Sequence, residues 1–309
     1  MSVTIRSEIV DLELLVPRTV ESEREDADVA RLVPWVFCQT TIAEEGCTLD
    51  WPASEPRFEY LLHKLSTYRT EVPESERGIS GAIQPSATIT LPRKSWKLPR
   101  REYFKGFIGS QRSILYTLLN DVYSGLDGVR EQGPRVRLEL GWTKKYIIGG
   151  NRFAARSEGA AVVKVREMSV PIVSFTGWFE GQTWDQFLSE TLSIMLGQLA
   201  KNTSILQREG RGPQDQETFV IGFHVPCFHV AYGLFPAATV ARVHLQGFSL
   251  AEVFDLKFSR GYDLCLKDDW MQAMRVLARL FRYLVSGKAK VGALQALRGG
   301  SETGGNGSF

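Results

Sequence analysis

A chain of 309 residues with 43% hydrophobic and 23% charged side chains carries enough apolar material for a real core, in one large domain or two modest ones. Thirty-seven Lys and Arg against 35 Asp and Glu leave a net charge of +2, so whole-chain charge gives no argument for nucleic acid, and any basic surface must be local. The four cysteines, Cys38, Cys47, Cys227 and Cys265, are widely spaced with no CxxC, which argues against a disulfide framework and for free thiols in a reducing compartment.

In chain order, the first residues have no long apolar run and soon turn acidic, unlike a signal or transit peptide. No window approaches a membrane span, so the expected location is intracellular, nuclear or cytoplasmic. The acidic cluster at 21–28 reads as a solvated loop or a helix start. A helix is predicted over 57–68 with Phe58, Leu61, Leu62 and Leu65 on one face, and a short strand over 87–91. A second helix is predicted over 103–123, with Leu115, Leu118, Leu119 and Val122 inward.

From 135 onward the pattern is that of an α/β core. Residues 135–140 alternate as a half-buried strand, and 146–148 and 160–165 read as further strands. The run Val170-Pro-Ile-Val-Ser-Phe175 is nearly continuous in apolar residues, as in a central strand covered on both faces. A helix over 184–202 starts with Thr183 and Gln186 in a capping-box relation. Residues 219–223 and 228–235 form a predicted β-hairpin, and a last helix spans 268–286 with Gly287 just beyond it. The fold class is therefore α/β, a mixed sheet flanked by helices. Residues 1–100 are read as an N-terminal extension or small subdomain ending in a basic linker, 101–292 as the core, and 293–309 as a disordered tail.

Two basic features stand out. Arg93, Lys94, Lys97, Arg100 and Arg101 interleave with Trp96 in the densest cationic run, which suits a phosphate backbone with one stacking aromatic, or an exposed linker. Arg275, Arg279 and Arg282 are spaced four and three apart on the last helix, so they share a face. That face reads as a phosphate-tracking stripe or as a solvated surface with cations near a helix C-terminus. His224, Cys227 and His229 are metal-capable but too few to close a zinc site, so no metal ligands are assigned. No GxSxG and no P-loop occurs.

The succession of a helix, strands, the stretch Val170-Pro-Ile-Val-Ser-Phe-Thr-Gly-Trp178, the helix after Gln182-Thr-Trp-Asp185, and the Arg260-Gly-Tyr-Asp-Leu264 region before Trp270 resembles divergent fungal members of the PD-(D/E)XK nuclease-like superfamily. The resemblance covers about the last two-thirds of the chain and implies a restriction-endonuclease-like core. It also implies an Asp on one strand and a Glu-x-Lys on the next, holding Mg²⁺ for phosphodiester hydrolysis. Here the first position falls near Lys144-Lys145-Tyr146 and the second at Thr176-Gly177-Trp178. A register using Lys164 and Glu167 fits neither spacing nor order. Lys145, Thr176 and Trp178 thus mark a degenerate motif, while Glu139, Glu180, Asp185 and Glu190 are the carboxylates from which a relocated site would have to be built.

Three functions follow as expectations. The first is a catalytically degenerate nuclease-fold protein, needing no cofactor, that binds DNA, RNA or a protein partner and no membrane. The second is an active Mg²⁺-dependent nuclease with a relocated carboxylate site. The third is an interaction scaffold that docks partners on its final helix.

Overall fold

The computed structural model describes residues 2–44, 46–71, 84–92, 105–129, 134–141, 143–165, 167–178, 182–224, 226–249 and 251–295. The cationic run at 93–101, Glu180 and the chain after 295 lie outside the described residues. Strands are β1 (Ser2–Ile9), β2 (Ser86–Pro92), β3 (Val136–Leu140), β4 (Thr143–Ile148), β5 (Asn151–Arg156), β6 (Gly159–Val165), β7 (Met168–Gly177), β8 (Gln216–His224), β9 (Cys227–Phe235), β10 (Ala251–Phe258) and β11 (Tyr262–Asp263). Helices are α1 (Leu12–Leu15), α2 (Ser22–Arg31), α3 (Val36–Gln39), α4 (Glu59–Glu71), α5 (Lys105–Gly125), α6 (Trp184–Arg208), α7 (Ala237–Gln246) and α8 (Lys267–Val285).

The fold is mixed α/β. One large sheet runs in the order β2-β1-β10-β9-β8-β7-β6-β3, with β11 added beside β9, and β4 and β5 form a separate two-stranded sheet. Two strand pairs are parallel, β1 with β10 and β7 with β8; the others in the sheet are antiparallel. The N-terminal segment thus supplies two strands of the main sheet, β1 and β2. No described helix is long and apolar enough to cross a membrane.

Strand alternation gives the sheet two apolar faces, and each has its own core. On one face Phe219, Ile221 and Phe223 of β8 meet α4, α5 and α8. On the other face Val220 of β8, Ala231 and Phe235 of β9 and Phe254, Leu256 and Phe258 of β10 meet α6. β7 is buried over its last eight residues, as expected for an interior strand.

The predicted inward residues of α4 and α5 are buried. The capping box of α6 is present, with Thr183 Oγ1 accepting from the Gln186 backbone and the Gln186 side chain accepting from the Thr183 backbone. This helix runs a turn and a half longer than the sequence suggested, because Ile205 and Leu206 extend its buried stripe. α7, β5, β1 and β10 were not anticipated. The last two alternate cleanly, with Val3 and Ile5, and Phe254, Leu256 and Phe258, buried.

α8 is largely enclosed by the rest of the fold. Twelve of its residues are buried, and it sits among α2, α5 and β11. Trp270 anchors it, fully enclosed, with its indole N–H donating to the Leu32 carbonyl at 2.8 Å and Phe58 edge-on to its ring. Phe58 itself adopts φ 68°, a left-handed conformation costly for a bulky residue, held here by that packing. The chain stays packed through Leu294, two residues past the predicted end of the core.

Close approach of strands leaves no room for a side chain at Gly159. A Cβ on Gly159 would lie 2.2 Å from Phe175 Cζ and 2.5 Å from the Glu139 carbonyl oxygen. Gly159→Ala is expected to destabilise by about 1–3 kcal/mol through overpacking. Gly212→Ala, where a Cβ meets nothing within 4 Å, should stay within about 0.5 kcal/mol. Urea midpoints measure both, and equal midpoints would show that β6 and β7 can yield at this contact.

Candidate functional site

The region where the resemblance places chemistry is the interface of β7 with α6 and β4. Ser174 and Thr176 are two apart on β7, so they share a face. Glu190 and Gln198 are two turns apart on α6, facing them. All four are buried.

A chain of hydrogen bonds joins these elements. Lys144 Nζ of β4 donates to Ser174 Oγ at 2.7 Å, and Ser174 Oγ donates to Gln198 Oε1 at 2.9 Å. Gln198 Nε2 donates to the Ile172 carbonyl at 3.3 Å. One step along β7, Thr176 Oγ1 donates to Glu190 Oε1 at 3.3 Å, while Gln182 Nε2 donates to Glu190 Oε2 at 2.9 Å. Beside this network Tyr146 shares a 2.8 Å hydrogen bond with Ser193.

Burial pulls the Lys144 ammonium down to about 7, because the charged form loses its hydration. A lysine near neutrality beside a serine hydroxyl has the composition of a general base and nucleophile. Ser174 is 0% exposed and Lys144 4%, so no substrate reaches the pair. The arrangement ties a strand, a helix and a hairpin together.

Of the described carboxylates considered for a relocated metal site, Glu190 reaches this layer and Glu139 and Asp185 do not; Glu180 lies outside the described residues. Glu139 lies on β3 and accepts from Ser169 Oγ at 3.4 Å. Asp185 is exposed in the first turn of α6, where a negative charge suits the helix N-terminus. Lys145 is exposed, and its neighbour Lys144 takes the inward place because β4 alternates buried and exposed from that residue. Among the described residues no group of three or more His, Cys, Asp or Glu gathers as a metal set. Mg²⁺ prefers octahedral oxygen coordination, and among the described candidate carboxylates Glu190 alone stands in this layer, where Thr176 and Gln182 donate to it.

Trp178 continues the same face of β7 into an aromatic cluster. Its ring stacks on Phe187 with centroids 4.5 Å apart and on Trp184 at 5.9 Å, and touches His224 at 4.9 Å. His229 meets Phe187 edge-on at 5.1 Å, packed over the bare backbone of Gly222. Among the described residues, Nε1 of Trp178, Nε1 of Trp184, Nδ1 of His224 and Nε2 of His229 are buried without a hydrogen-bond partner. Burial lowers His224 to about 4, and burial with the neighbouring His224 charge lowers His229 to about 3. Both imidazoles are neutral at pH 7. His224 and Cys227 are register partners at the hairpin turn.

The three arginines of α8 all pair with acids of α2, Arg279 and Arg282 in largely enclosed positions and Arg275 nearer the surface. Arg279 is 2% exposed and donates through Nη2 to Glu25 Oε1 at 2.6 Å, through Nε to Glu25 Oε2 at 3.1 Å and through Nη1 to Glu13 Oε1 at 3.1 Å. Arg282 forks onto Asp28 at 2.5 and 2.8 Å, and Arg275 pairs with Asp26 at 2.8 Å. The guanidinium groups of that face are thus paired with the acidic cluster of α2 and with Glu13. Of that cluster, read as a solvated loop or a helix start, the helix start is what forms, with Glu21, Glu23 and Asp26 exposed and Glu25 and Asp28 buried.

Sequence reasoning took Lys145 rather than its neighbour Lys144 and passed over Ser174, Gln198 and Gln182. For Ser174 and Gln198 the signal was present, as polar residues in the buried phase of largely apolar elements. No protein-family model matches the chain, and no similar curated protein was found.

Proposed function

We propose that the chain is a nuclease-fold protein without metal catalysis that binds nucleic acid. The observation that carries the first half is the chemistry of the β7 layer. Where the resemblance calls for carboxylates around a cation, near Lys144-Lys145 and at Thr176, a lysine is built in at Lys144 against Ser174, and a hydroxyl stands at Thr176, which with Gln182 donates to Glu190. The order α5, β3, β6, β7, α6, β8, with the β4–β5 hairpin inserted, agrees with the layout on which the resemblance rests. Support for the second half is the cationic run around Trp96. With Arg275, Arg279 and Arg282 engaged by α2, that run is where phosphate contacts are expected.

The test has two arms. Plasmid and RNA incubated with the protein in Mg²⁺ or Mn²⁺ should remain intact, and a Glu190→Gln variant should behave identically. Cleavage abolished by that substitution would establish the active-nuclease alternative. In a band-shift assay at low salt, binding is expected and should weaken steeply as salt rises. Replacing Arg93, Lys94, Lys97, Arg100 and Arg101 by alanine should remove it. No shift with any DNA or RNA at low salt would leave a protein-interaction role in its place.

A further inference from the structure

On the α6 side of the sheet, apart from the polar β7 network, a pocket of about 80 Å³ opens beneath α7. Its walls are aliphatic and aromatic: Leu196 and Leu199 of α6, Val243 of α7, Phe235 of β9 and Phe254 of β10. No Asp, Glu, Lys or Arg is among the described residues that line it. Polar groups, Ser204 and Gln207 from the end of α6 and His244 from α7, also border it.

Local geometry holds the pocket open. α7 is seated loosely, with Val243 its one fully buried residue and Val240, one turn earlier, half-buried over the space. A tight contact fixes its C-terminal end. Gly149, at the β4–β5 turn with φ 53°, lies against Gly247, which follows α7 with φ 85°. A Cβ on Gly149 would sit 3.1 Å from Gly247 Cα, and the Gly149 amide donates to the Val243 carbonyl at 3.2 Å. The turn therefore pins α7 at a fixed height, rather than letting the helix settle onto α6 and close the gap.

We propose that this pocket is a binding site for a neutral, mainly aliphatic small molecule, its alkyl end inside and a hydroxyl or carbonyl at the Ser204, Gln207 and His244 side chains. The size supports an alkyl end over a whole ring, since engineered apolar cavities that admit benzene are roughly 150 Å³. The lack of lining charges sets the class: a carboxylate or ammonium would lose hydration here with no counter-charge.

The experiment uses the full chain and 1-hexanol, hexanoate and hexylammonium as probes, followed by ligand-observed saturation-transfer NMR. Hexanol is expected to bind saturably, and the two charged analogues at least about 10-fold more weakly. Ala200→Phe, at a lining position of α6 that is only partly buried, should fill the pocket and abolish the hexanol signal while far-UV circular dichroism stays unchanged. Gly149→Ala, which wedges the β4–β5 turn from α7, should weaken binding without removing it. Hexanoate binding as well as hexanol, hexanol binding unchanged in a folded Ala200→Phe protein, or no hexanol binding up to its solubility would each overturn the proposal.

Discussion

Arg279→Ala is expected to destabilise the protein by about 3–5 kcal/mol, because the buried Glu25 carboxylate loses its two-pronged guanidinium partner and is left with one half-exposed arginine. Glu25, itself 2% exposed, would keep only Arg18 at 3.3 Å, and Glu13 would lose its 3.1 Å contact. Such a loss is a large fraction of the roughly 5–15 kcal/mol that holds a domain folded. Arg275→Ala is the control. Its partner Asp26 is 59% exposed, and solvent screening holds such a pair to about 1 kcal/mol or less. An Arg279→Met/Glu25→Leu double variant should recover most of the loss, since a buried ion pair and an apolar pair of similar volume are often close in stability. Urea unfolding at neutral pH, followed by tryptophan fluorescence, reads all three. If Arg279→Ala falls within about 1 kcal/mol of Arg275→Ala, the α2–α8 contact is not what clamps the N-terminal segment to the core.

The second large effect is on acid stability. His224 and His229 are held neutral in the fold, at about 4 and about 3, whereas an unfolded histidine titrates near 6.5. As pH falls below roughly 6.5, the unfolded chain takes up two protons that the folded chain refuses. Stability is therefore full above that pH and is lost as pH descends toward the folded values. The limiting slope for two protons is about 2.7 kcal/mol per pH unit. Burial raises the Asp121 and Asp263 carboxyls, and Lys144, at about 7, still titrates near the top of the window from about pH 6.5 to 5, so the imidazoles are isolated by comparison with a variant that lacks them. Unfolding midpoints measured across that window should fall steeply in the native protein and stay nearly flat in a His224→Gln/His229→Gln variant. An equal slope in both would mean that the aromatic cluster opens to admit protons before the protein unfolds.

Much of the fold is legible in the residues themselves. β7 and the inward faces of α4 and α5 follow from apolar periodicity, and the start of α6 from a capping box whose partners are local in sequence. β1 and β10 carry equally clear alternation, with Val3 and Ile5, and Phe254, Leu256 and Phe258, in the buried phase. Periodicity names a strand without naming its neighbour. The parallel pairing of Ser2–Ile9 with Ala251–Phe258 joins residues nearly 250 positions apart, and no local signal encodes that.

The charged and polar residues divide in the same way. Spacing alone put Arg275, Arg279 and Arg282 on one helical face, and put Glu25 and Asp28 one turn apart in an acidic cluster. Whether either face met solvent, phosphate or the other depended on α2 lying against α8, which only the tertiary structure decides. Likewise β4 alternation points either Lys144 or Lys145 inward, but a lysine takes the buried place only when Ser174 and Gln198 are there to receive it. Composition and pattern thus determine an α/β protein with a covered central strand. Long-range packing determines that Arg279 and Arg282 are internal ties and that the strand's polar residues are bonded to Lys144, Gln198 and Glu190, because the partner that desolvates a side chain lies far away along the chain.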